Sequence, residues 1–78
     1  MKTWKYETAG DEGNTILFGV NIFDYEWKKN NEVAKVIDPI YKNEFEFDVY
    51  TVVIQGQEQE FAAGEFSNCV WGFYVPQY

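Results

Sequence analysis

The sequence contains no histidine and no arginine, and it has only one cysteine and one serine. Without histidine it lacks the commonest general base and metal ligand, and neither Ser67 nor Cys69 has an imidazole to activate it as a nucleophile. Without arginine it lacks the side chain that clamps phosphate in a bidentate manner. A single cysteine builds no disulfide framework. We therefore expect no enzyme activity, no bound metal and no cofactor.

Positive charge is also scarce, since 6 lysines face 13 acids and the net charge is -7. Such a chain is a poor direct ligand of nucleic acid, because binding to phosphates requires cations. It has no run of about 18 apolar residues that would span a membrane and no basic segment followed by the apolar core of a signal peptide. Together with the lack of disulfides, this favours a cytoplasmic protein with no membrane partner.

Aromatic residues are abundant instead. They make up 21% of the 78 residues, and hydrophobic residues in total make up 46%. Each ring buries about 150–250 Å², so rings are an efficient way to fill a small core without disulfides or metal. We expect one small domain over residues 1–78. So many rings exceed what its interior is expected to hold, and exposed rings mark binding sites or oligomer interfaces.

Turn-forming residues divide the chain into short segments with the composition of β-strands. Strict alternation is clearest after Asn43, where Phe45, Phe47 and Val49 share one face of a predicted strand. Regular spacing of such segments is typical of small all-β folds. We predict a small, strongly twisted antiparallel barrel or sheet of five to six short strands. The clearest predicted strands cover residues 3–8, 15–27, 44–54, 58–63 and 69–75.

The segment from Glu32 to Tyr41 is ambiguous, and a turn is predicted just before it. Lys28 to Asn31 has the composition of a turn, because asparagine tolerates a positive φ. Beyond it, Val33, Lys35 and Ile37 have strand spacing, whereas Val33, Val36, Ile37 and Ile40 fit helical spacing. We favour a strand, and the alternative is one short helix near residues 31–38. Further turns are predicted at 42–43, 55–57 and 64–68.

The charge is unevenly distributed along the chain. All 6 lysines lie in the first 42 residues, so residues 43–78 carry nearly all of the net charge of -7. Alternation places the first acids of this half on one strand face, and a hairpin about Gly56 sets the acids that follow it opposite the apolar end of that strand. The acids would then form a diagonal band. They are Glu44, Glu46, Asp48, Glu58, Glu60 and Glu65.

An acidic band of this kind is suited to meet a basic protein surface, and nearby aromatic rings supply anchors. The candidate anchors are Tyr50, Phe66 and Trp71. Carboxylates at alternate strand positions have spacings like those of backbone phosphates, so a site that neutralises phosphates would accept them. The leading hypothesis is a non-enzymatic binding protein for a basic, nucleic-acid-binding partner. Its sharpest form is a nucleic-acid mimic that inhibits a DNA- or RNA-handling defence protein. It is similar in physical type to small acidic inhibitors from phages and mobile elements.

Two stretches give an alternative hypothesis. Residues 23–26 (FDYE) resemble the ALYDYE stretch of SH3 domains, and residues 72–78 (GFYVPQY) resemble their terminal G-x-[FV]-P-x-x-Y segment. The resemblance implies a groove for Pro-rich peptides with Tyr25, Pro76 and Tyr78 as its walls, and with acids near Glu26 and Glu32 facing an arginine of the peptide. The chain departs from the pattern because its only nearby tryptophan is Trp71, too close to the proline.

Two further interpretations stay open. The acidic band would also serve as a charged face that keeps a small barrel soluble and blocks edge-to-edge aggregation. Alternatively, the surplus rings would be buried in a symmetric homo-oligomer.

Overall fold

The computed structural model describes residues 2–78, and most of them form strands. Five long strands make one antiparallel sheet in the order β1-β7-β6-β5-β4, and two short strands form a separate hairpin. The predicted all-β fold is confirmed. The elements are β1 (Thr3–Asp11), β2 (Ile16–Leu17), β3 (Val20–Asn21), the 3-10 helix η1 (Ile22–Asp24), β4 (Lys28–Ile37), β5 (Glu44–Ile54), β6 (Gln57–Ser67) and β7 (Val70–Gln77).

The sheet curls until its two edge strands, β1 and β4, face each other across a cleft. Lys2, just before β1, closes part of this seam because its ammonium lies 3.1 Å from Oε2 of Glu32 and 2.9 Å from Oε1 of Glu60. Further along, the Tyr74 hydroxyl on β7 donates to the carbonyl of Ile37 at 2.6 Å. The architecture therefore lies between an open sheet and a barrel.

Alternation gives the sheet two apolar faces. The concave face, called here the inner face, carries a core in which Phe47 and Val49 of β5 pack against β4, β6 and β7. The predicted alternation of β5 is thus confirmed. The inner-face core consists of Ala34, Val36, Phe47, Val49, Ala62 and Tyr74, with Trp4, Phe45 and Phe66 packed against it.

The opposite, outer face is partly covered by the segment 15–27, which was predicted to be one long strand. That prediction is wrong: the segment consists of β2, a turn at Phe18 and Gly19 with φ of 56° and 80°, β3 and η1. Its apolar residues cover the sheet instead of pairing with it, and Leu17 and Ile22 are fully buried against Val52. The Asn21 side chain accepts hydrogen bonds from the backbone N–H groups of residues 15 and 23.

The ambiguous segment is a strand as far as Ile37 and a loop from Asp38 onward, so the alternative of a helix near residues 31–38 does not hold. The predicted turn at Lys28 to Asn31 is also wrong, because these residues begin β4 and form an irregularity in its pairing with β5. Of the turn predicted at 64–68, Gly64 lies inside β6, whereas Asn68 does lie in the turn between β6 and β7. The turn at Gln55 and Gly56 is confirmed, and both residues have a positive φ, as a two-residue hairpin requires.

Candidate binding surface

The acids of β5 lie on the part of the outer face that the segment 15–27 leaves uncovered. Glu44, Glu46 and Asp48 alternate along β5 and continue toward Val52, which belongs to the outer-face core. These three acids are called here the acid row. Alternate residues of a strand stand about 6.6–6.8 Å apart, so the row presents three carboxylates along one line.

Next to the acid row, β6 and β7 complete a groove of about 310 Å³. Glu65 on β6 is the cross-strand partner of Trp71 on β7, and the floor between them and β5 is formed by Ala63 and Gly64. Five of the nine residues predicted to bind a partner line this groove. They are Glu46, Asp48, Tyr50, Glu65 and Trp71.

The rings of Tyr50 and Trp71, which line the groove, pack against the segment 15–27, called here the covering segment. Trp27 packs on Tyr50 and on Trp71, with ring centroids 5.1 Å and 5.8 Å apart. The indole of Trp71 also donates to Oε1 of Glu12 at 3.0 Å. Burial raises the pKa of Tyr50 above its ordinary value, and the charge of Asp48 adds to the effect. The groove therefore has rigid aromatic walls and a neutral phenol beside its carboxylates.

Lysines of β4 lie beside the acid row and offset part of its charge. Nζ of Lys29 is 3.5 Å from Oδ2 of Asp48. Lys35 is the cross-strand partner of Glu46. The side chains of the Lys29–Asp48 pair are 65% and 41% exposed. Exposed pairs of this kind contribute about 0–1 kcal/mol, so a competing cation on a partner would displace the lysine.

The other predicted residues lie elsewhere. Glu58 and Glu60 are paired with Val53 and Thr51, which agrees with the predicted hairpin. This register places both glutamates on the side of the inner face, so the predicted diagonal band is divided between two faces. Glu60 is also occupied, because it accepts hydrogen bonds from Lys2 and from the hydroxyl of Tyr78. Of the predicted residues that do not line the groove, only Glu44 lies close to it, because it is the first carboxylate of the acid row.

Phe66 was predicted to be an anchor beside the acidic band, and the structure places it on the opposite face, half-buried against the inner-face core. Its ring packs against Phe45, Phe47 and Tyr74, with centroids 5.3, 5.6 and 6.3 Å away. The reason is alternation along β6, which aims Phe66 at the inner face while Glu65 points outward. Phe66 therefore stabilises the core and does not line the groove.

The residues of the SH3-like alternative are separated as well. Tyr25 packs against the outer-face core, whereas the hydroxyl of Tyr78 donates to Glu60 at 3.1 Å on the side of the inner face. The two rings do not line one groove, and the sheet lies between them.

Two apolar side chains beside the acid row were not predicted as part of the site. Val33 and Ile37 of β4 are each 56% exposed, and they are the cross-strand partners of Asp48 and Glu44. Their strand spacing was visible in the sequence. It could not be used, because the face that β4 turns to solvent depends on the register with β5.

Comparison with protein-family models, with curated proteins and with solved structures finds no match for this chain. Within residues 2–78, no group of three or more His, Cys, Asp or Glu side chains is arranged so that it could hold a metal ion. That same part of the chain has no helix long and apolar enough to cross a membrane.

Proposed function

We propose that this protein is a non-enzymatic binding protein whose outer face docks on a basic, nucleic-acid-binding protein. One observation carries the proposal: three carboxylates, those of Glu46, Asp48 and Glu65, line one groove whose walls are the immobilised rings of Tyr50 and Trp71. Acids give electrostatic complementarity to a basic surface, and rigid aromatic rings are the usual source of binding energy at an interface.

The acid row supports the sharper form of the proposal, in which the protein mimics nucleic acid. Glu44, Glu46 and Asp48 lie at alternate positions of one strand, so their spacing is regular, as that of phosphates is along a nucleic-acid strand. A site built to neutralise phosphates would attract such a row. By occupying the site, the protein would inhibit a DNA- or RNA-handling enzyme, such as a defence nuclease.

The apolar side chains of β4 add to the proposed surface. Val33 and Ile37 stand beside the acid row, so a partner that covers the row also buries two exposed aliphatic groups. At about 25 cal/mol per Å² of apolar surface, this burial contributes affinity that charge alone does not supply. The neighbouring lysines reduce the net charge of the face but are held only by weak exposed pairs.

The test is to capture partners on the tagged protein from nuclease-treated lysate and to elute them with a salt gradient. A basic nucleic-acid-binding protein, released at moderate salt and displaced by added duplex DNA or by RNA, supports the proposal. Columns that carry Glu44→Lys with Glu46→Lys should lose this protein. Columns that carry Glu7→Lys with Glu58→Lys, the same charge change at exposed positions off the groove, should retain it. Recovery of partners indifferent to salt and to nucleic acid would contradict the proposal.

A further inference from the structure

A second concave site lies at one end of the sheet, where β1, β4 and β6 end and where β5 and β7 begin. It is a cavity of about 230 Å³ with mostly apolar walls. An apolar protein cavity of about 150 Å³ holds a benzene molecule, so this one has room for a single large apolar side chain. Its principal walls are Tyr6, Ile40, Tyr41, Phe45, Phe66 and Val70.

The loop that forms one wall, residues 38–43, is fixed by a buried carboxylate. Asp38 is 6% exposed, and its oxygens accept hydrogen bonds from the backbone N–H groups of Ile40 at 2.9 Å and Tyr41 at 3.3 Å. Its backbone also bonds to Lys42 and Asn43. Despite this fixed geometry, Ile40 and Tyr41 are 75% and 77% exposed. A rigid loop that presents two apolar side chains has little ordering cost to meet on binding.

Charge decides which occupant fits this end of the sheet. The antiparallel order places the ends of β1 and β6 and the start of β5 at the same edge. Five acids lie there, against one lysine, Lys42: Asp38 is buried in the cavity wall, Glu44 and Glu65 project from the adjoining outer face, and Asp11 and Glu12 follow the end of β1. A second copy of the chain, itself with a net charge of -7, would bring like charges together. A basic segment would be attracted.

We propose that the cavity receives one apolar side chain, flanked by lysine or arginine, from the same basic partner. This inference rests on the proposed function, because Glu44 joins the two sites: it begins the acid row and directly follows the cavity loop. The partner thus places an apolar anchor between basic residues at the cavity while its remaining cations meet the acid row.

The experiment uses nuclear magnetic resonance of the full chain labelled with ¹⁵N and three synthetic five-residue peptides. The peptides are Lys-Lys-Trp-Lys-Lys, Lys-Lys-Ser-Lys-Lys and Glu-Glu-Trp-Glu-Glu, each with blocked ends. The first should shift the amide signals of Tyr41, Val70 and the acid row. The second should shift the acid row alone with about tenfold weaker binding, and the third should shift neither site.

Two variants test the walls. Tyr41→Ser should weaken binding of the tryptophan peptide about tenfold and leave the serine peptide unchanged. Ile16→Ser, at a comparably exposed apolar position on β2 that is 62% exposed, should change neither.

Acid-row shifts without cavity shifts would overturn the inference and leave the proposed function standing. If the acidic tryptophan peptide bound as tightly as the basic one, basic residues beside the anchor would be unnecessary, and the inference would be overturned. Cavity shifts that appear on concentrating the protein alone would assign the cavity to a second copy and overturn the inference. Cavity shifts without acid-row shifts would count against the proposed function itself.

Discussion

The ring of Phe66 lies over the Cα atom of Gly72, in the space that a Cβ atom on residue 72 would occupy. Phe66 stands at an irregularity in the pairing of β6 with β7, between Glu65 and Ser67. Gly64, the cross-strand partner of Gly72, gives the same space to the ring of Phe47. The aromatic core of the inner face thus depends on two paired glycines.

Gly72→Ala is therefore expected to destabilise the protein by about 1–3 kcal/mol, because the added methyl group overpacks the core. Unfolding in urea, followed by fluorescence, measures the change. The double variant Gly72→Ala with Phe66→Leu should lose less stability than the sum of the losses in the two single variants, because leucine leaves room for the added methyl group. Strict additivity of the two changes would contradict the contact.

Leu17→Ala is expected to cost about 2–5 kcal/mol, because Leu17 is buried where the covering segment meets the sheet. The neighbouring Ile16→Ala removes an exposed side chain and is expected to change stability by less than about 0.5 kcal/mol. Comparison of the two urea midpoints checks the orientation of β2. Equal losses would mean that the segment 15–27 does not cover the outer face as described.

Tyr74→Phe is expected to lower stability by about 1 kcal/mol at neutral pH, because the carbonyl of Ile37 loses its donor. Burial, with a smaller effect from the charge of Asp38, raises the pKa of Tyr74 from 10.0 to about 12. The folded protein therefore keeps a proton that the unfolded chain loses. The resulting stability is complete below pH 10 and is lost as the pH rises toward 12.

The measurement is the free energy of unfolding from pH 8 to pH 12 for both proteins. Stability of the wild type should fall more steeply above pH 10 than that of Tyr74→Phe. Tyr41→Phe, which alters an exposed ring, is the control and should follow the wild type. Parallel curves for wild type and Tyr74→Phe would contradict the assignment.

Much of the fold could be read from local sequence. The alternation at Phe45, Phe47 and Val49 and the turn at Gln55 and Gly56 predicted the β5–β6 hairpin, because strand period and turn chemistry are local properties. The segment 15–27 could not be read in this way. Its β-branched and aromatic residues have strand composition, yet they pack against a sheet most of whose strands come later in the chain.

The candidate site shows the same limit. The acid row was visible in the sequence as alternation within one strand. Its position beside Glu65 and Trp71 depends on the pairing of β5, β6 and β7, which the sequence does not state. Phe66 was misplaced for the related reason that the sequence alone does not state which face of β6 is buried. Glu60 was counted as free because its contacts with Lys2 and Tyr78 join residues distant in sequence.

Removing the lysines beside the acid row should strengthen binding to a basic partner. Lys29→Gln with Lys35→Gln leaves the carboxylates of Asp48 and Glu46 without nearby cations, so affinity at low salt should rise about threefold to tenfold. The gain should shrink as salt is added, because screening reduces it. Lys5→Gln with Lys28→Gln, the same charge change at exposed positions that line neither the groove nor the cavity, should have a smaller effect. A loss of affinity in the first variant would mean that the lysines themselves contact the partner.

The dissociation constant of the captured partner, measured by titration at several salt concentrations, tests the central claim most directly. The variant Glu44→Lys with Glu46→Lys should bind at least about 100-fold more weakly than the wild type, with a reduced dependence on salt. The matched variant Glu7→Lys with Glu58→Lys should stay within about threefold of the wild type, and both should keep the wild-type circular dichroism spectrum. Equal affinities for the two variants would contradict docking through the acid row.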